Sequence, residues 1–495
     1  MTTGLNFWDI SIWTFILCLT AIFVAMLIAN LLIKTIKPLR RALIPSPVLG
    51  GFLLLIFLSV YKLIAGEALF QGSILEIITY HALGLGFVAS ALKVSKKPKE
   101  KGSQKAIFNA SLVTVGGYSI QAIVGLALSM LLFFVLNGES WPASGLLLPM
   151  GFGQGPGQAF NWGNIFSQYT ADQSLALSQG LTYSTFGAFE GGKSFGLSIA
   201  AMGFISASVG GVIYLNVQRK KGNIKMVSRA NNFEEKLTLE DYQGDNEISS
   251  SDSIDKSSVQ VGIIFLVYAI SFAFIYGVSK LCDISGVAFL TNTVKPLFWG
   301  FNFIFGVGFA ALWKLVFQGL HKKGVIKKQY TNNYMLDRVS GIAFDVMVVS
   351  AISAIDLSAF GNREFIIPLV VLCVAGVIVT YFYVKHLAYK LYPEYRDEAF
   401  LSLFGMLTGT TSTGVILLRE IDPQFKTPAC NNMVFQSLYS ILLGVPVLIS
   451  MGSAATSWKS LLIWFSVYIL FFAALYIAMR RDDIFKKKNK ALKKE

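Results

Sequence analysis

Charge is scarce in this chain. Asp, Glu, Lys and Arg make up 14% of its 495 residues and hydrophobic residues 54%, whereas a soluble domain carries roughly a quarter of charged side chains. Apolar stretches of about 20 residues recur along most of its length, without the polar faces that water-soluble helices need, which reads as a membrane protein with many spans. Histidine is rarer still. His81, His321 and His386 are too far apart for a local metal motif, and Cys18, Cys282, Cys373 and Cys430 are scattered with no CxxC or Cys/His spacing. Neither a zinc site nor a disulfide framework is indicated. No Ser/His/Asp, HExxH or paired-carboxylate spacing is recognisable, which argues against a membrane-embedded enzyme. No Lys or Arg precedes the first apolar run and no small-residue cleavage site is evident, so that run reads as a retained helix rather than a signal peptide.

What charge there is has a net value of +14. The basic residues sit in short loops and the tail rather than on a stripe with aromatic platforms, so they read as cytoplasmic loops and not as a nucleic-acid surface. Placing each basic loop inside sets the topology. Helices over 10–33, 47–65, 74–94 and 107–136 follow from an outside N-terminus. The run 182–216 ends inside, at Arg219, Lys220 and Lys221, so the segment 143–181 must begin and end outside, as a re-entrant hairpin. The polar stretch 217–258 is expected to be a disordered cytoplasmic linker. Beyond it, helices 259–281, 293–317, 338–360 and 365–387, a second hairpin at 399–425 and a helix at 429–451 repeat the order of parts in the opposite orientation. The expected organisation is therefore an all-α polytopic membrane protein. Its parts are a first half (1–216), the linker, an inverted second half (259–452), and an extra C-terminal helix with a basic cytoplasmic tail (453–495). Inverted repeats with broken helices are a transporter pattern.

The two breaks carry the functional reading. Gly151-Phe152-Gly153-Gln154-Gly155-Pro156-Gly157 interrupts an apolar run. Gly costs a helix about 1 kcal/mol and Pro about 3 relative to Ala, and broken backbone at membrane depth survives only against protein or a polar cavity. Gly153, Gln154, Gly155 and Gly157 are thus expected to offer backbone N–H donors and a helix N-terminus to an anionic group. Gly409-Thr410-Thr411-Ser412-Thr413-Gly414 occupies the corresponding place in the second half. Gly409, Thr411 and Ser412 are expected at the substrate, and the hydroxyls of Thr411, Ser412 and Thr413 around a Na⁺ ion. The alternative is that these hydroxyls cap their own helix.

Three charged residues stand in apolar surroundings. Glu190 and Lys193, three apart, can share a helix face and pair, as a structural ion pair or as a coupling or gating pair. Asp345, inside the expected span 338–360, is a candidate for Na⁺ or H⁺ coupling, whereas Asp356 reads as a solvated helix end. Gly187–Ser194 (GAFEGGKS) matches the G-x-x-x-x-G-K-S phosphate-loop spacing, but within some 35 mostly apolar residues, with no strand before it, the match reads as accidental.

The two tips, the helix start Pro45-Ser46-Pro47-Val48-Leu49-Gly50-Gly51 and the order of parts together resemble the sodium/glutamate symporter family. Its first hairpin typically reads Gly-Gly-His-Gly-Thr-Gly-Ala, where this chain has Phe152 to Gln158. Its second carries Gly-Ala-Thr-Pro-Thr-Ala, where this chain has Gly409 to Gly414. Thr185-Phe186-Gly187 and Gly191-Gly192 also look like the family's helix after the first hairpin. The likeness covers residues 8–452. Gln154 stands for the usual His and Pro156 for the usual Thr, and the linker and last helix are additions. The resemblance implies Na⁺-coupled symport of glutamate or a related small carboxylate, with no chemistry on the substrate and no bound cofactor beyond the transported Na⁺. The expected partners are the anionic substrate, Na⁺ and the lipid bilayer of a cell membrane, not nucleic acid, with a homodimer left open. An H⁺-coupled carrier using Asp345 or Glu190 is the rival within transport, and an enzyme or nucleotide-binding protein the rival outside it.

Overall fold

The computed structural model describes residues 7–8, 10–70, 72–93, 101–179, 181–222, 224, 255–287, 290–291, 295–300, 302–325, 330–423 and 425–481. Most of the expected linker 217–258 and of the basic tail lies outside the described residues.

Apolar runs become helices because each backbone group can then pair within its own segment. In chain order these are α1 (Ile10–Thr35), α2 (Lys37–Ala42), α3 (Ser46–Ala65), α4 (Gly72–Leu92) and α5 (Lys101–Val135). A limb of one tight 3-10 turn at Ser144–Leu146 and one wider π-helical turn at Pro149–Gln154 follows, then α6 (Pro156–Ser167), α7 (Gln173–Gln179) and α8 (Gly192–Lys220). Next come α9 (Lys256–Ser285), α10 (Lys295–Gly300), α11 (Asn302–Lys322), α12 (Asn333–Ser353) and α13 (Arg363–Leu391). The chain closes with α14 (Arg396–Thr408), α15 (Thr411–Leu418), α16 (Ala429–Ala454) and α17 (Trp458–Met479). Nine helices among the described residues are long and apolar enough to cross a membrane, or ten with α16 taken as one bent span. The protein is an all-α polytopic membrane protein.

The chain divides into two compact units. One comprises residues 1–28, 50–97 and 228–354. There α4 packs against α9, α11 and α12 around Val88, Ala89, Leu92, Ile264, Val267 and Leu336. Glycines on α4 admit aromatic rings: a methyl on Gly84 would lie 2.6 Å from Tyr268 Cε2, and one on Gly86 2.9 Å from Phe344 Cε1. An ion pair between Lys93 and Asp337, 2.5 Å, closes one end of this packing.

The second unit comprises residues 29–49, 98–227 and 355–495. Here α13, α16 and α17 all pack along α5, while α8 carries α6 and α14. Its core is aromatic and aliphatic, with Tyr214, Phe400 and Phe404 fully buried. Both interrupted segments belong to this unit.

Candidate functional site

The first hairpin turns on Gly155, whose φ of 90° and ψ of −177° suit glycine alone. The limb before it runs down α5. Gly145 touches Gly125 so closely that a methyl on Gly145 would meet the Gly125 carbonyl at 2.0 Å. The limb after it, α6, runs back along α8, with Gly163 against Gly192 and Ala159 against Gly196. The two ends of the hairpin come together where the Trp141 ring lies 5.0 Å from that of Phe166 and stacks on Phe189 at 4.8 Å and 4°. The segment therefore enters and leaves at one end of α8.

The second hairpin is built the same way from α14 and α15. Gly405 and Gly414 let the limbs touch, a methyl on Gly405 lying 2.8 Å from Gly414 Cα. Its base lies beside the other end of α8. The ring of Tyr214 lies 4.0 Å from that of Phe400, tilted by 31°, and its hydroxyl donates to Asp397, which also accepts from Tyr389 at 3.1 Å. From these opposite ends the tips converge on the middle of α8. A methyl on Gly203 would strike the Thr408 carbonyl at 2.4 Å and Phe152 at 3.0 Å. One on Gly155 would lie 3.4 Å from Thr410 Cγ2 and 3.6 Å from the Gly409 carbonyl oxygen. Gly153, Gly155, Gly157 and Gly409, which the sequence singles out, are thus brought to one place, all of them buried, with Gln154 half-buried beside them.

This place has no charged side chain of its own. Neither 151–158 nor 405–414 contains Asp, Glu, Lys, Arg or His. The electrostatics come from backbone. α6 starts at the first tip and α15 at the second, and each N-terminus carries roughly half a positive charge with unpaired N–H groups.

The hydroxyls of the second tip do not converge as expected. Successive side chains on a helix diverge by about 100°, so the first turn of α15 exposes Thr411 and Ser412 and buries Thr413. Thr413 Oγ1 instead lies 3.4 Å from Thr410 Oγ1. A single ion held by Thr411, Ser412 and Thr413 together does not fit this geometry.

Glu190 is also placed differently from expectation. The apolar run is broken at Gly187 (φ 69°) and Gly191 (φ 73°), so α8 begins only at Gly192. Glu190 is exposed in the turn before the helix and Lys193 lies in its first turn. Ser184 and Thr185 of the same loop bond to the Ala455 and Thr456 carbonyls at 2.7 and 2.9 Å. The loop uses its donors internally: the N–H groups of Gly187, Phe189 and Gly192 donate to Ser184, Phe166 and Phe189. Ser194 Oγ accepts from Asp356 N–H at 2.9 Å. A phosphate cradle needs such groups open, so the geometry agrees with an accidental motif. Asp345 lies on α12, in the first unit, and that helix ends at Ser353 rather than at 360. Asp356 caps the short turn Leu357–Gly361.

Two glutamines were not anticipated. Gln158, in the first turn of α6, is buried, and neither amide atom has a hydrogen-bond partner among the described residues. Gln121, in the middle of α5, is fully buried and donates from Nε2 to Thr380 Oγ1 and to the Leu407 carbonyl, both at 2.9 Å. The available signal was a primary amide inside a long apolar helix, where polar groups are expensive and tend to be functional. The chain matches no known protein family and no curated protein.

Proposed function

We propose that the protein is a secondary transporter that carries glutamate or a related small carboxylate across a cell membrane together with Na⁺. One observation carries the reading: two hairpins with bases at opposite ends of α8 bring their broken tips into contact at Gly155 and Thr410. Paired half-helix N-termini favour a carboxylate, while orphaned carbonyls at the same breaks favour a hard cation. The tips contain no charged side chain. A carboxylate entering alone would bring an uncompensated charge into the low-dielectric interior, and Na⁺ entering with it removes most of that penalty. The resemblance to sodium/glutamate symporters adds to this reading. The proposed orientation has the N-terminus outside and the linker and tail in the cytoplasm, in keeping with the basic loops.

The test is uptake of labelled glutamate and other small carboxylates into proteoliposomes, with and without an inward Na⁺ gradient. Accumulation should require the gradient. Uptake that follows a pH gradient and ignores Na⁺ would replace the sodium reading with proton coupling, and absence of uptake for every carboxylate would remove the substrate class.

A further inference from the structure

Gln121 is held so that its two amide atoms face different hairpins. Nε2 donates to the carbonyl of Leu407, just before the tip of the second hairpin, and to Thr380 on α13. A carbonyl only accepts, so the amide cannot be flipped, and Oε1 is the atom left on the other side. There it faces the first hairpin beside the ring of Tyr118: a methyl on Gly153 would lie 3.0 Å from Oε1 and 2.4 Å from Tyr118 Cδ1. Oε1 is buried and accepts no hydrogen bond from any described residue, although buried side-chain oxygens are nearly always paired. Gly153 belongs to the last turn of a helical limb that Gly155 terminates and Pro156 follows. The last carbonyls of a helix lack partners, and Pro156 has no N–H to give them. A fixed amide oxygen thus stands beside the negative end of a half-helix, with no positive side chain in either tip.

We propose that Gln121 Oε1 and the terminal carbonyls of the first limb form a Na⁺ site. The inference rests on the transport reading and moves the cation from the second tip to the first. It also gives coupling a physical path. The ion would tighten the first limb on Gln121, whose other amide atom holds the second hairpin, so one side chain would connect both tips.

The experiment measures thermal stability of the purified full-length protein in detergent, without substrate, in NaCl against choline chloride at equal ionic strength. NaCl should raise the wild-type melting temperature with a saturable dependence. In Gln121→Met, of similar volume, half-saturation should move to Na⁺ concentrations higher by about tenfold or more. In Gln121→Glu, which keeps an oxygen at the site and adds a negative charge, Na⁺ should bind more tightly than in the wild type. That variant also decides the question should the Met variant fail to fold. Thr380→Val, which removes only an acceptor of Nε2, should stay within about threefold of the wild type. Unchanged Na⁺ dependence in both Gln121 variants would overturn the site. In a second series with glutamate added at saturating Na⁺, loss of the glutamate-induced shift in both Gln121 variants with the Na⁺ shift intact would assign Oε1 to the substrate's ammonium group, overturning the sodium site but leaving transport standing. Na⁺-driven uptake by the wild type with no Na⁺-specific stabilisation would likewise overturn the site alone.

Discussion

At the scale of single residues, backbone conformation decides more than space does. Gly155 has room for a methyl group, with its nearest neighbours at 3.4 and 3.6 Å, but its φ of 90° penalises any side chain. Gly155→Ala is therefore expected to lose about 1–3 kcal/mol of stability, and Gly155→Val to lose transport as well, since its branches reach Thr410. Gly277 on α9 has a normal backbone and nothing within 4 Å, so Gly277→Ala should be neutral or stabilise by up to about 1 kcal/mol. Thermal melting of the three variants in detergent, with uptake by each, checks both statements. Gly155→Val that melts like the wild type and transports normally would place the substrate away from the tips. The turn at Gly155 was legible in the sequence, because three alternating glycines and a proline leave few other conformations. The bonds of Gln121 to Thr380 and Leu407 were not. Its partners are 259 and 286 residues away, and local sequence does not encode such separations.

At the scale of elements, small residues act as the joints of both hairpins. Where hydrocarbon surrounds the helices, association depends on close backbone approach rather than on the hydrophobic effect. Gly163, Gly192 and Gly196 let α6 lie on α8, and a methyl on Gly196 would meet the Ala159 carbonyl at 2.4 Å. That neighbour is backbone and cannot swing away. Gly196→Ala should force the limbs apart and cost about 1–3 kcal/mol, read as a lower melting temperature with the largest rise in amide exchange in residues 156–167. A rise spread evenly over the protein would show that the joint is not local. Helix positions were readable from apolar runs, and the hairpins from the breaks within them. The start of α8 was misplaced because apolar residues continue through 181–191, while the loop there is held by bonds to Ala455 and Thr456 that the local sequence does not announce. Adjacent hydroxyls at Thr411, Ser412 and Thr413 look like one cluster in the sequence and become two faces once α15 forms.

At the scale of the whole molecule, the distribution of Lys and Arg makes a claim about sidedness. Single cysteines at Asn137 and at Asn333, both exposed, in a background without Cys18, Cys282, Cys373 and Cys430, should react with an impermeant thiol reagent from opposite sides in intact cells, Asn137 from outside and Asn333 only after permeabilisation. Equal labelling of both from outside would undo the inverted arrangement. The hairpins also differ in what exists when each is synthesised. Residues 144–167 are translated before α8, so of the helices they chiefly pack against only α5 exists at first to cover their broken backbone, and hydrocarbon will not accept it uncovered. Residues 396–418 are translated after α5, α8 and α13 are complete. The first hairpin must therefore wait near the membrane surface for a later part of the chain, while the second docks onto a cradle that lacks only α16. Matched in design, the two hairpins have unequal histories, and the earlier one is where a stalled or truncated nascent chain would be exposed to quality control.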